Sequence, residues 1–212
     1  RHDPLETGSK VDYPRMKEVG IDAIFFAAFV SQDISDNDGN ERAKKLVIQM
    51  IDAVISSAEQ NASLVGLALT PKDAYELEKD GKRAIYLAIE NGYPIGEDLK
   101  NIELFYDMGV RYITLVHSSN NDIADSATDS SGAEHEGLSA FGEEVVKEMN
   151  RLGIMVDVSH ASDDVFFDAI AVSEAPIIAT HSNARAITEH QRNMSDEMLR
   201  LMAENGGVAQ LT

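Results

Sequence analysis

Four residues able to bind a metal or transfer a proton stand at the carboxyl ends of four apolar runs: Glu90, His117, His160 and His181. The runs cover residues 83–89, 111–116, 154–158 and 176–179. A single strand-end histidine is more often structural, and a strand-end glutamate is commonly the first residue of a solvated loop. Four of them on consecutive runs are harder to dismiss, because parallel α/β folds collect their chemistry where strands end. One carboxylate with imidazoles is a donor set suited to Zn2+, Mn2+ or Fe2+. Such a centre acidifies a bound water and polarises a carbonyl, as a hydrolase requires.

Two further residues could serve it. Arg192 lies in a polar loop eleven residues beyond His181. Its side chain suits bidentate pairing with a substrate carboxylate, although on an acidic chain a surface salt bridge competes. Asp157 sits inside an apolar run, where an unpaired carboxylate is costly. It either hydrogen-bonds a ligand histidine or pairs with a Lys or Arg. His2, His135 and His190 fall in polar stretches and read as surface residues.

The elements that must position these side chains alternate along the chain. Residues 21–31 form a near-continuous apolar run, as in strands buried on both faces. Residues 41–60 carry Leu46, Val47, Met50, Ile51, Val54 and Ile55 on one helical stripe. A short apolar run at 64–69 precedes a helix with Thr70 as N-cap and Pro71 in first position, ended by Gly81. The strand at 83–89 is followed by a helix over 97–108, then the strand at 111–116. A polar segment at 118–139 exceeds the usual loop length, so it reads as functional or disordered. An amphipathic helix over 139–152 leads to a βαβ unit, 153–185, whose helix opens at Ser162. A helix capped by Ser195 and a strand at 207–211 finish the chain.

This βαβαβα order predicts an α/β fold with a parallel sheet in one domain, residues 1–212. No Gly-rich phosphate turn follows an early strand, which disfavours a doubly wound sheet. A TIM-type (β/α)8 barrel fits better, and seven strand-like runs predict that it is incomplete in this chain. The first residues form a polar loop with no preceding element, and the last stop inside a strand, so both ends read as cut.

Composition narrows the partners. The formal charge of -19, from 37 acidic and 18 basic residues, repels phosphate backbones, which disfavours nucleic acid. Cysteine is absent, removing disulfides, thiolate metal sites and cysteine nucleophiles. No run reaches transmembrane length and no signal peptide opens the chain, leaving cytoplasm and periplasm both open.

The segments YLAIENG, YITLVHSSNNDIADS, GLSAFGEEVVKEMNRLGIMVDVSH, PIIATHSNARAI and QRNMSDEMLRLMAENGGVAQ occur in that order. They resemble the membrane (renal) dipeptidase family of zinc metallopeptidases, in a bacterial-type member. The resemblance runs from about residue 11 to the end. It implies a (β/α)8 barrel with two zinc ions that hydrolyses dipeptides, including some with a C-terminal D-residue. By position, Glu90 matches the carboxylate bridging the two metals, and His160 and His181 match the histidines of the second metal. His117 matches the histidine that contacts substrate and stabilises the tetrahedral intermediate, and Arg192 matches the substrate-binding arginine.

The implied partners are a small peptide substrate and a second copy in a homodimer. The family's first-strand His-x-Asp pair has no counterpart here, and its late-strand aspartate would lie beyond Thr212. One complete ligand set of the expected two is therefore visible. Glu90-Asn91-Gly92 stands where the family often has Glu-Gly-Gly. Two other functions remain open: a metal-dependent barrel hydrolase acting on cyclic amides or lactones, and a non-catalytic one-metal relative if the chain is truly truncated.

Overall fold

The computed structural model describes residues 11–32 and 37–212; His2 lies outside them. The elements run α1 (Tyr13–Val19), β1 (Ala23–Phe29), α2 (Asn37–Gln60), β2 (Val65–Leu67), α3 (Pro71–Lys79) and β3 (Arg83–Glu90). A 3-10 turn (Tyr93–Ile95) leads to α4 (Lys100–Asp107), β4 (Val110–Thr114), α5 (Ala140–Leu152) and β5 (Met155–Asp157). The series closes with α6 (Asp163–Val172), β6 (Ile178–Ala179), α7 (Asp196–Asn205) and β7 (Val208–Ala209).

Every strand pair is parallel, in the order β1-β3-β4-β5-β6-β7. From β3 onward each crossover steps one place in the same direction. This one-way winding is the progression of a barrel, whereas a doubly wound sheet reverses. The fold is therefore α/β with a curled, incomplete TIM-type barrel. β2 pairs with the first half of β3, from Val65 opposite Arg83 to Leu67 opposite Ile85. β4 takes over from Leu87 onward, with a register shift between Leu87 and Ala88. The run at 64–69 thus supplies a three-residue side strand in place of a full barrel stave.

Residues paired across strands share a face. On the helix side, Leu87, Ile89, Ile113, Val156 and Ala179 are buried with Val47 and Ile51 of α2, Phe105 of α4 and Val146 of α5. Burying aliphatic side chains of this size stabilises the fold by roughly 1.5–3 kcal/mol each. Leu46 stays 44% exposed, so the stripe on α2 is narrower than its spacing suggests. The other face carries Phe25, Tyr86 and Tyr112, with ring centroids 4.9 Å apart for Phe25–Tyr86 and 5.0 Å for Phe25–Tyr112. β1 is not buried on both faces: Phe29 is 41% exposed, because β1 is an edge strand among the described residues.

The helix ends follow local chemistry. Thr70 accepts from the Asp73 backbone N–H while the Asp73 carboxylate accepts from the Thr70 N–H, a capping box. Ser139, Ser162 and Ser195 cap α5, α6 and α7. The helix expected at 97–108 begins at Lys100, because Asp98 spends its carboxylate on the Lys100 N–H in a turn. Helix α1 escapes the apolar patterning, being short, yet Asp12 caps it and Gly20 ends it in the left-handed region. Strand β7 covers only two of the five residues expected at 207–211.

Candidate metal centre

Glu90 is the last residue of β3, and the backbone turns at once: Asn91 has φ +85°. Glycine adopts that conformation freely, and asparagine is among the few other residues that do. The Asn91 carboxamide also donates to the Val30 carbonyl at 3.1 Å and accepts from the Tyr93 N–H at 3.2 Å. Its Oδ1 also accepts from Asn121 Nδ2 at 3.2 Å, so the departure from a Glu-Gly-Gly pattern keeps the turn and adds three hydrogen bonds. His117 follows β4, where its carbonyl accepts from Ser126 Oγ at 2.6 Å and its Nδ1 lies 2.9 Å from Ser118 Oγ. The Phe29 ring packs on its imidazole with centroids 4.6 Å apart.

His160 follows β5 with φ +71°, a conformation that L-residues adopt at a cost and that clusters at functional sites. Its carbonyl is held by the Ala127 N–H at 2.8 Å. His181 follows β6; its N–H donates to Ser159 Oγ at 3.0 Å, and its Nδ1 lies 2.8 Å from Thr180 Oγ1.

The fold brings all four expected residues to one point. Glu90 Oε1 lies 3.3 Å from His160 Nε2, 3.4 Å from His181 Nε2 and 3.6 Å from His117 Nε2. The two nitrogens of His160 and His181 are 2.8 Å apart. Glu90, His117 and His160 alone already place three ligand atoms within 4.8 Å of one another. Such crowding of lone-pair atoms needs a cation or shared protons to hold it together. Imidazole nitrogens with a carboxylate oxygen are a donor set that a zinc-like ion accepts. The buried Nδ1 of His160 has no hydrogen-bond partner, so this ring gains its contacts through Nε2. The residues present therefore fit a metal.

The imidazoles of His160 and His181 hold Glu90 well below the usual carboxylate range, outweighing its burial. Burial first, and then the neighbouring His160, push His117 down to about 4. Burial also lowers His160, with Glu90 opposing. The cluster accordingly presents a carboxylate beside His117 and His160, both held toward neutrality, the protonation states that ligands need.

Arg192 does not form the surface salt bridge that its spacing allowed: its guanidinium has no hydrogen bond or ion pair with another described residue. It is partly buried, which lowers its pKa, and it feels the charges of Asp157 and Glu90. Asp157 pairs with no Lys or Arg among the described residues, nor does it touch a histidine directly. It is fully buried and accepts from Thr114 Oγ1 at 2.6 Å, Thr180 Oγ1 at 2.7 Å, and the N–H groups of Ser159 and Thr180 at 3.0 Å each.

Thr114, Thr180, Ser118 and Phe29 escape sequence reasoning. Each neighbours a strand end, and that position was the available signal.

Residues 118–139 are ordered. The buried Asp125 carboxylate accepts from the N–H groups of Glu134, His135 and Gly137 at 2.8 to 3.1 Å. His135 is half-buried, with Nε2 2.9 Å from the Asn121 carbonyl, so it anchors this loop; His190 is exposed as expected. No described helix is long and apolar enough to cross a membrane.

Comparison with known proteins adds an independent line. The family model described as membrane dipeptidase, peptidase family M19, matches residues 3–212. Dipeptidase verJ of Clonostachys rogersoniana is 36% identical over 95% of this chain and 53% of its own length. The crystal structure of the probable dipeptidase PvdM from Pseudomonas aeruginosa superposes with a TM-score of 0.89 at 28% identity, covering 95% of this chain and 53% of that one. A metallo peptidase from Rhodobacter sphaeroides, liganded with a phosphinate mimic of the dipeptide L-Ala-D-Ala, gives 0.87 at 28% identity over 97% of this chain and 66% of its own. The chain spans about half the length of the curated relatives that it matches.

Proposed function

Since the chain belongs to the membrane dipeptidase family of metallopeptidases, we propose that it forms the metal-binding half of a zinc-dependent dipeptidase. Glu90, His160 and His181 would hold the metal. The observation that carries this reading is the convergence of Glu90 Oε1 with three Nε2 atoms at 3.3 to 3.6 Å. When bound, such a metal supplies an acidified water and polarises the carbonyl to be attacked. Glu90 has a second carboxylate oxygen, which supports its role as a bridge in a two-metal site.

The remaining residues have separate tasks. His117 is neutral near pH 7, given its value of about 4. Where Ser118 Oγ donates to Nδ1, 2.9 Å away, Nε2 carries the hydrogen and would bond the oxygen on which negative charge develops. Arg192, partly buried and with no hydrogen bond from its guanidinium to another described residue, would receive the terminal carboxylate of the dipeptide. A lactone or cyclic amide offers no such group, so Arg192 favours dipeptides over the ring-opening alternative. The ligand of the Rhodobacter sphaeroides relative supports a substrate range that includes a C-terminal D-residue.

The test uses the protein as its organism makes it, against L-L and L-D dipeptides, lactones and cyclic amides. Dipeptide hydrolysis that disappears on chelation and returns with zinc is the expected result. Activity surviving thorough chelation, or lactones turned over faster than dipeptides, would sink the reading.

A further inference from the structure

Asp157 is one hydroxyl away from the metal centre, and its carboxylate sets the direction of the hydrogen bonds along that path; Thr180 Oγ1 also lies 3.4 Å from Ser159 Oγ. Asp157 Oδ1 accepts two backbone N–H groups, and Oδ2 accepts Thr114 Oγ1 and Thr180 Oγ1. A carboxylate only accepts, whereas a threonine hydroxyl has one hydrogen to give. The 2.7 Å contact to Asp157 therefore takes the single hydrogen of Thr180. At its 2.8 Å contact with His181 Nδ1, Thr180 must then accept.

We propose that Asp157 is a positioning residue: through Thr180 it fixes the proton of His181 on Nδ1, leaving the Nε2 lone pair aimed at Glu90 and His160. The direction suits the metal-centre reading: with its hydrogen on Nδ1, His181 keeps free the Nε2 lone pair that converges with His160 Nε2 at 2.8 Å and Glu90 Oε1 at 3.4 Å. The opposite assignment would set two lone pairs together between Thr180 Oγ1 and Asp157 Oδ2.

The consequence is a one-atom switch. In Asp157→Asn, the side-chain oxygen can keep the two backbone N–H groups, while the new NH2 faces Thr114 and Thr180. Thr180 then accepts from Asn and turns its hydrogen toward His181 Nδ1. His181 is driven to the Nε2–H tautomer, which must move its proton to Nδ1 before it can ligate.

Long-range 1H–15N NMR of the metal-free protein reads the tautomer directly, without activity. The wild type and Thr180→Ser should show His181 protonated on Nδ1, and Asp157→Asn should show it on Nε2. Zinc affinity, measured by competition with a chromophoric chelator, should fall about 10- to 100-fold in Asp157→Asn. Thr180→Ser should retain it and Thr180→Val should lose about tenfold. Amide spectra establish that each variant is folded. A wild-type His181 protonated on Nε2, or an Asp157→Asn protein with unchanged tautomer and zinc affinity, overturns the proposal.

The affinity arm rests on the metal-centre reading above, but the tautomer arm does not. Absence of zinc binding in the wild type would refute that reading, while the NMR result would still decide the relay.

Discussion

Replacing Glu90 with glutamine is expected to reduce dipeptide hydrolysis and zinc affinity by more than about 100-fold each. Losing a residue that merely supports a ligand costs about 10- to 100-fold, and Glu90 stands at the centre of the cluster. Its Oε1 lies within 3.6 Å of three imidazole nitrogens. Glutamine keeps the volume and one acceptor oxygen but removes the charge that the imidazoles hold in place. Because Glu90 is not part of the apolar core, the variant should unfold in urea close to wild type. kcat/KM, zinc competition and urea unfolding separate the outcomes. A variant that folds normally and retains wild-type zinc affinity would remove Glu90 from the metal set.

Arg192→Met should weaken kcat/KM for dipeptides with a free C-terminus by roughly 30-fold to several thousand-fold. That range corresponds to the roughly 2–5 kcal/mol lost when one partner of a buried, hydrogen-bonded charge pair is truncated. The effect should be specific to the carboxylate. A dipeptide whose C-terminus is an amide offers no anion to Arg192, so its slower hydrolysis should change little between wild type and variant. An equal loss on both substrates would mean that Arg192 supports the loop at 185–194 and does not bind the carboxylate.

The barrel class is legible because the strands are short apolar runs separated by capped helices, so their order could be read without knowing their pairing. Glu90, His117, His160 and His181 are legible for the same reason: each stands at the end of such a run, and a barrel brings strand ends together. What lies beyond the strand ends is not legible. Thr180 looks like any small polar residue before a histidine, and only the parallel pairing of β5 with β6 brings it against Asp157. The short apolar run at 64–69 does become a strand, β2, but its pairing is not legible because apolar content says nothing of register. β3 offers that edge to β2 and then to β4. Residues 118–139 read only as a long polar loop, functional or disordered, since the pattern of donors around Asp125 depends on backbone N–H groups that a sequence does not display. The positive φ at His160 is equally hidden, because nothing in a histidine announces it.

Metal content decides the central claim most directly. The wild-type protein and a His160→Ala, His181→Ala double variant are purified without chelator, equilibrated with zinc, desalted and analysed by mass spectrometry of the elements. At least one tightly held zinc per wild-type chain and close to none in the folded double variant is the predicted result. Equal zinc in the two proteins, or none in the wild type, would contradict it.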